Sequence, residues 1–242
     1  MPTKKNKKQR LRALVTGATR GIGHSIASEL CRRKIDVIGT GTKNSAKLPQ
    51  RCIYKEVNFL DEHSLDDFIL YIKDQQIDIL INNAGINKIN KFVKITSNDF
   101  DEIIQVNLKS PFLLTQAVLP NMIDKGWGRI VNISSIFGKV SKEFRGPYSM
   151  SKFGLDGMTA SLAAEVAKEG ILVNTLSPGF IQTDLTTSIL GKSGIQEIKK
   201  TIPIQRLGKV DEIANFACWL ASEKNTYISG QNIPIDGGFS RV

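Results

Sequence analysis

Tyr148 and Lys152 stand four residues apart in Pro147-Tyr-Ser-Met-Ser-Lys-Phe, at the start of a helical pattern, and that spacing sets both side chains on one helix face. A free phenol ionises near pH ~10 and is a poor proton shuttle at neutrality, but an adjacent ammonium stabilises the phenolate and lowers that value. Such a pair has the chemistry to hand a proton to a carbonyl oxygen. Alone the pattern is weak, because Tyr-x3-Lys also arises on helices where the lysine is solvated and the tyrosine packs. Ser134-Ser135 ends a strand-like run, and Asn82-Asn83-Ala84-Gly85 ends another at the same edge of a sheet. Asn107 interrupts an otherwise apolar helix stripe, where a buried amide is costly unless bonded, so it is a candidate to bend the helix or hold a water. Pro178-Gly179 follows the sixth strand-like run, with Thr183 close behind.

The segment Arg12-Ala-Leu-Val-Thr16 runs directly into Gly17-Ala18-Thr19-Arg20-Gly21-Ile22-Gly23 and then a helical pattern. Glycines on a strand-to-helix turn let the backbone approach a pyrophosphate, and the helix N-terminus offers free N–H donors and a favourable dipole. The spacing is Gly-x3-Gly-x-Gly rather than the better-known Gly-x-Gly-x2-Gly dinucleotide fingerprint. NAD-binding domains place an acid at the end of the second strand, ~20 residues on, to hold the ribose hydroxyls. Here no Asp or Glu lies between Asp36 and Glu56, and the strand ends Thr40-Gly41-Thr42-Lys43. A 2′-phosphate would meet hydroxyls, Arg20 and Lys43 without a repelling carboxylate, which favours NADP(H) over NAD(H).

These residues need a scaffold, and the chain supplies one rhythmically. Strand-like runs at 12–16, 35–40, 52–57, 77–82, 128–134, 171–176 and 231–235 alternate with helical patterns near 22–33, 63–74, 98–123, 148–168 and 210–221. Several runs are apolar almost throughout, as expected when helices cover both faces of a parallel sheet. Asn98-Asp99 is a plausible helix start and Gly170 a plausible stop. The pattern predicts a single-domain α/β doubly wound Rossmann fold, with ligands at the carboxyl ends of the strands.

Composition excludes several classes. The 242 residues are 41% hydrophobic and 23% charged, enough to build a core without disulfides or metal. No run approaches the ~18 apolar residues of a membrane span, and Cys31, Cys52 and Cys218 are unclustered, so no membrane partner, disulfide framework or metal site is expected. A cytoplasmic setting fits. Of the net charge of +10, six come from Lys4, Lys5, Lys7, Lys8, Arg10 and Arg12. Residues 1–11 read as a basic disordered tail, the body is only mildly basic, and no nucleic-acid partner is implied. His24 and His63 lack a ligand motif, and Trp127 and Trp219 read as packing residues.

Taken together, Thr16-Gly-x3-Gly-Ile-Gly23, Asn82-Asn-Ala-Gly85, Asn107, Ser135, Tyr148-x3-Lys152 and Pro178-Gly179 resemble the short-chain dehydrogenase/reductase family, in its order and spacing, from residue 11 to 242. The resemblance implies a seven-stranded parallel sheet with helices on both faces, a substrate lid at roughly 184–206 within a catalytic domain at 12–242, and a homotetramer. It makes Tyr148 the general acid, Ser135 the holder of the carbonyl oxygen, Lys152 the ribose-binding ammonium that depresses the Tyr148 pKa, and Asn107 the holder of a relay water. Ser135 rather than Ser134 matches, being thirteen residues before Tyr148. Cofactor contacts fall on Gly17, Thr19, Arg20, Gly21, Ile22 and Gly23, on Thr40 and Thr42, and on Asn58 and Phe59 at the adenine, where the family often has Asp. Others fall on Asn83, Ala84 and Gly85, on Tyr148 and Lys152, and on Pro178, Gly179, Ile181 and Thr183 beside the nicotinamide. Gly-Thr-Gly-Thr after the second strand, Pro178-Gly-Phe-Ile-x-Thr-Asp and Arg206-Leu-Gly are similar to 3-oxoacyl-acyl-carrier-protein reductases, implying NADPH-dependent reduction of a β-keto thioester. Glu169 stands where those reductases carry a basic carrier-docking residue, so a sugar, polyol or secondary-metabolite carbonyl remains an alternative substrate. The intact Ser135, Tyr148, Lys152 and Asn107 weigh against a third reading, a non-catalytic nucleotide-binding protein.

Overall fold

Alternation along the central strands sets the architecture. In β1 (Arg12–Val15), Ala13 and Val15 face one apolar cluster while Leu14 faces another. The same split recurs in β4 (Ile79–Asn82), where Ile79 and Ile81 oppose Leu80, and in β5 (Gly128–Ile133), where Val131 and Ile133 oppose Ile130. Strands apolar on both faces must be covered on both, and each fully buried Leu or Ile contributes roughly 1.5–3 kcal/mol. In the computed structural model, which describes residues 10–43 and 48–241, helices α1 (Gly21–Arg32) and α7 (Val210–Leu220) cover one face. Helices α2 (Glu62–Lys73), α4 (Ser110–Lys125) and α5 (Gly146–Val166) cover the other.

With β2 (Asp36–Gly41), β3 (Cys52–Glu56), β6 (Ile171–Pro178) and β7 (Asn232–Ile235) the strands form one parallel sheet of seven in the order β3-β2-β1-β4-β5-β6-β7. The chain winds outward to β3 and then returns to β4 on the other side of β1. The carboxyl ends of β1 and β4 therefore flank the crevice at which doubly wound sheets bind ligands. Register aligns Asn82 with Asn132 and Asn132 with Thr175 across three strands. Asn82 Nδ2 donates to Asn132 Oδ1 at 2.8 Å, Asn132 Nδ2 to Thr159 Oγ1 at 2.8 Å, and Thr159 shares a 2.7 Å hydroxyl bond with Thr175. This buried polar row ties α5 to the sheet directly beneath the site.

Three local expectations change. The helix pattern at 98–123 is not continuous: α3 (Ser97–Ile104) passes through a π turn at Gln105–Lys109 into α4. Its start is capped not by Asn98-Asp99 but by Thr96, whose Oγ1 accepts from Asp99 N at 3.1 Å. An N-cap must lie outside the helix with its side chain folded back, and Thr96, with ψ 156°, has that geometry. The 184–206 segment, expected as a lid, contains an eighteen-residue helix, α6 (Asp184–Thr201), broken at Gly191. Its Ser, Thr and two glycines weaken helical periodicity, which hid it in the sequence. Gly170 does end a short 3₁₀ turn that extends α5.

Residues 1–9, and with them the basic cluster at Lys4, Lys5, Lys7 and Lys8, lie outside the described residues, as does Val242. Leu11, assigned above to the tail, packs against the α1–α7 cluster. Among the described residues no helix is long and apolar enough to cross a membrane. Trp219 stacks on Phe216 at 5.9 Å and Trp127 lies under the Arg129 guanidinium, the packing roles expected of them.

Candidate active site

The turn after β1 brings backbone where side chains cannot go. Gly17 holds φ +66°, a conformation that favours glycine. Its N–H donates to Thr40 Oγ1 at 3.2 Å, and the N–H of Ala18 to Thr40 O at 2.8 Å, so the end of β2 braces the loop. Gly23 has no room for a side chain: a Cβ there would lie 2.2 Å from Gly17 O and 2.4 Å from Asn83 Nδ2. The β4 end completes the floor. Thr16 Oγ1 accepts from both Asn83 N and Ala84 N at 2.9 Å, and Asn83 Nδ2 donates back to Thr16 O at 2.9 Å.

Above this floor opens a cleft of about 370 Å³, bounded by Thr19–Gly23, Thr40–Thr42, Asn58 and Phe59, Asn83–Gly85 and Thr183. The residue before α1, Arg20, makes no capping bond with its side chain, so the first-turn N–H groups are available to an anion. Arg20 is exposed, and the lining contains one carboxylate, Asp184. A glycine cradle under a helix N-terminus, with an arginine and threonine hydroxyls at the ribose end, fits a phosphorylated dinucleotide. Of the residues expected to contact a cofactor, Gly17, Thr19, Arg20, Gly21, Ile22, Gly23, Thr40, Thr42, Asn58, Phe59, Asn83, Ala84, Gly85 and Thr183 line the cleft. Asn58 Oδ1 is engaged locally, accepting from Leu60 N at 3.1 Å. Tyr148, Lys152, Pro178, Gly179 and Ile181 lie beyond this lining; Ile181 is buried in a bridge to Gly208. Lys43 also lies outside it. Val57, Leu60 and Val106 add apolar lining that carried no sequence signal.

Four elements converge on the reacting groups. Ser135 follows β5 and caps a 3₁₀ turn, accepting from Phe137 N at 3.2 Å, and its side chain acts on the Tyr148 phenol, lowering its pKa. Ser134 turns away and donates to Lys152 O at 3.1 Å, which separates the roles of the two serines. Tyr148 opens α5 and is half-buried; Lys152, one turn later, is 4% exposed, with Nζ donating to Ile133 O at 2.9 Å. Asn107, fully buried in the π turn, grips Ile86 by both amide atoms: Oδ1 accepts from Ile86 N at 2.8 Å and Nδ2 donates to Ile86 O at 2.9 Å. Pro111, lacking an N–H to return to the Asn107 carbonyl four residues before it, favours the opened turn. A Cβ at Gly85 would sit 3.3 Å from Asn107 Oδ1 and 3.6 Å from Lys152 Nζ, so glycine leaves a small space between amide and ammonium.

The electrostatics depart from the simple tyrosine–lysine picture. Burial raises the Tyr148 pKa, while the Ser135 hydrogen bond and the positive charge of Arg145 pull it down. Lys152 Nζ stands 5.7 Å from the phenol ring centroid, and its own pKa is pushed down by burial to about 8. Arg145, three residues before Tyr148, is therefore a second cation that acts on the phenol beside Lys152. Sequence spacing missed Arg145 because a lone arginine before a helix carries no motif. Phe180, between Phe137 at 6.1 Å and Phe239 at 5.3 Å, forms an aromatic chain beside the site that spacing likewise did not reveal.

Residues 17–240 match the family described as enoyl-(acyl carrier protein) reductase. The chain is 41% identical over 238 residues to the 3-oxoacyl-[acyl-carrier-protein] reductase FabG of Aquifex aeolicus, covering 93% of this chain and 96% of that protein. It is 39% identical over 238 residues to the acetoacetyl-CoA reductase of Cupriavidus necator, again covering 93% and 96%. Its fold is similar to a solved structure from Agrobacterium tumefaciens, proposed to be a 2-deoxy-d-gluconate 3-dehydrogenase, with bound NADP. That similarity has a TM-score of 0.83 at 32% identity, over 95% of this chain and 96% of the other.

Proposed function

The chain belongs to the short-chain dehydrogenase/reductase family, and from that premise we propose that it reduces the 3-oxo group of an acyl thioester to a secondary alcohol with NADPH. The cofactor is NADP(H), in keeping with Arg20 and the acid-free Thr40–Thr42 segment at the cleft. One observation carries the reading: the Ser134–Lys152 hydrogen bond ties the end of β5 to the first turns of α5, which sets Ser135 where it acts on Tyr148, with Lys152 buried a helical turn along.

NADPH, when bound, supplies the hydride; the protein supplies position and a proton. Tyr148 donates its phenolic proton to the substrate oxygen, and Ser135 donates a hydrogen bond to that oxygen as charge builds on it. Protonated Lys152 then stabilises the phenolate through the low-dielectric interior. Asn107 clamps Ile86 and borders the space next to Lys152 Nζ, where a relay water would be held. Glycines and the α1 N-terminus bind the pyrophosphate, and residues 178–183 border the nicotinamide end. Residues 12–242 act as one catalytic domain, with the helix within 184–206 folding over substrate. A homotetramer and a cytoplasmic location accompany this reading.

The test is loss of NADPH absorbance with an acetoacetyl thioester and, separately, with ketoses and diketones. Turnover of the thioester above all others is expected. Preference for a sugar carbonyl would transfer the substrate assignment while leaving the chemistry intact, and tight NADPH binding without turnover of any carbonyl would overturn both.

A further inference from the structure

Arg145 has a buried guanidinium nitrogen, Nη1, without a hydrogen-bond partner. Its Cζ lies 5.7 Å from the Phe137 ring, two residues past Ser135, and its backbone carbonyl accepts the Ser149 N–H at 2.7 Å, anchoring its backbone at the start of α5. Tyr148 is the ionisable group whose charge acts on it; no carboxylate offsets the guanidinium among the described residues. A guanidinium cannot deprotonate, so its empty donor is a standing demand for an oxygen acceptor. A second unpartnered buried atom is Asn87 Oδ1, one residue past the Ile86 that Asn107 clamps. An unfilled donor three residues before Tyr148 and an unfilled acceptor next to the Asn107 clamp favour a polar subsite over a hydrocarbon slot.

We propose that Arg145 is a specificity-determining residue that donates a hydrogen bond from Nη1 to the acyl (C1) oxygen of a 3-oxoacyl substrate while Tyr148 and Ser135 hold the C3 oxygen. This deepens the reductase reading above and rests on it. A β-dicarbonyl presents a second oxygen acceptor on the carbon two bonds from the reacting carbon, and a simple ketone presents none. The C1 oxygen belongs to a thioester or to a free carboxylate; both satisfy the donor, and the carboxylate gains more from the full charge.

The experiment compares wild type, Arg145→Gln and Arg145→Lys on three substrates: acetoacetyl-N-acetylcysteamine thioester, acetoacetate, and trifluoroacetone, a reactive monoketone without a C1 oxygen. Arg145→Gln is expected to lower kcat/KM for the thioester about 10- to 100-fold, the range for one charge-assisted hydrogen bond, mainly through KM, with acetoacetate affected more. Trifluoroacetone reduction should fall less, since it feels only the changed acidity of Tyr148, so the ratio of kcat/KM for the thioester over trifluoroacetone should drop at least about tenfold, with Arg145→Lys between. Equal losses on all three substrates would mean that the guanidinium acts only through the acidity of Tyr148, and would overturn the proposal. NADPH binding by fluorescence confirms that each variant is folded. Calorimetric binding of the thioester to the NADP⁺-loaded protein gives a turnover-free readout, and equal affinities for wild type and Arg145→Gln would also overturn it. Wild type that reduces acetoacetate but no thioester would defeat the thioester assignment while leaving the Arg145 comparison to the acetoacetate arm.

Discussion

Asn83 fills from one side the space that Gly23 leaves open from the other. Its Nδ2 donates to Thr16 O and Gly17 O at 2.9 and 3.2 Å, and a Cβ on Gly23 would come within 2.4 Å of that nitrogen. The β4 end, the β1 turn and α1 are thereby locked into one cofactor floor. Gly23→Ala would place carbon 2.2 Å from a backbone carbonyl that cannot yield without moving the loop. Overpacking of this kind costs about 1–3 kcal/mol, so a lowered Tm should accompany loss of NADPH binding. Unchanged NADPH affinity in a fluorescence titration would contradict this role for the turn.

Tyr148→Phe removes one hydroxyl from a group that stays packed. NADPH affinity should hold within about twofold, whereas kcat should fall roughly 10²- to 10⁴-fold, the usual worth of a positioned general acid. Retention of most activity in steady-state assays would show that another proton donor serves the carbonyl.

Lys152 links function to a stability cost. Its folded pKa of about 8 lies below the ordinary lysine value of 10.5 because the ammonium is buried. A lysine with a depressed folded pKa destabilises the fold wherever the unfolded chain is charged: the penalty grows as pH falls from 10.5 and is complete below about 8. Lys152→Met should therefore abolish turnover yet raise Tm at pH ~7, and the stability gain should vanish as pH approaches ~10.5. Thermal melts across that range check the sign. In the wild type, carbonyl reduction should decline above about pH 8 as the ammonium is lost.

Cofactor choice rests on charge at the end of β2. Thr42 lines the cleft together with Arg20, and Thr42→Asp puts a carboxylate where a 2′-phosphate would lie. The ratio of kcat/KM for NADPH over NADH should fall at least about tenfold. An unchanged ratio would place the 2′-phosphate elsewhere.

Much of the site was legible in spacing. The glycine turn, Asn83–Gly85, Ser135 and Tyr148–Lys152 each sit where chain alternation puts a strand end or a helix start, and the strand ends share one edge because parallel strands point the same way. Asn107 was legible as an anomaly, a buried amide in an apolar stripe, and its two bonds to Ile86 explain it. Helix α6 was not legible, since glycine and hydroxyl residues blur its period. The Thr96 cap was missed because three polar residues in succession, Ser97, Asn98 and Asp99, offer equally good caps until the backbone chooses one.

Local sequence determined what kinds of groups are present and where along the chain each element begins, because apolar periodicity and glycine freedom act over a few residues. That a second cation bears on Tyr148 was decided only in three dimensions. Lys152 is the sequence neighbour of choice, yet its ammonium turns to Ile133 O at 2.9 Å, while the charge of Arg145 reaches the phenol. Charge interaction depends on distance and on the solvent excluded between groups, and neither is set by position along a helix; both follow from how β5, α5 and the π turn pack around one buried point.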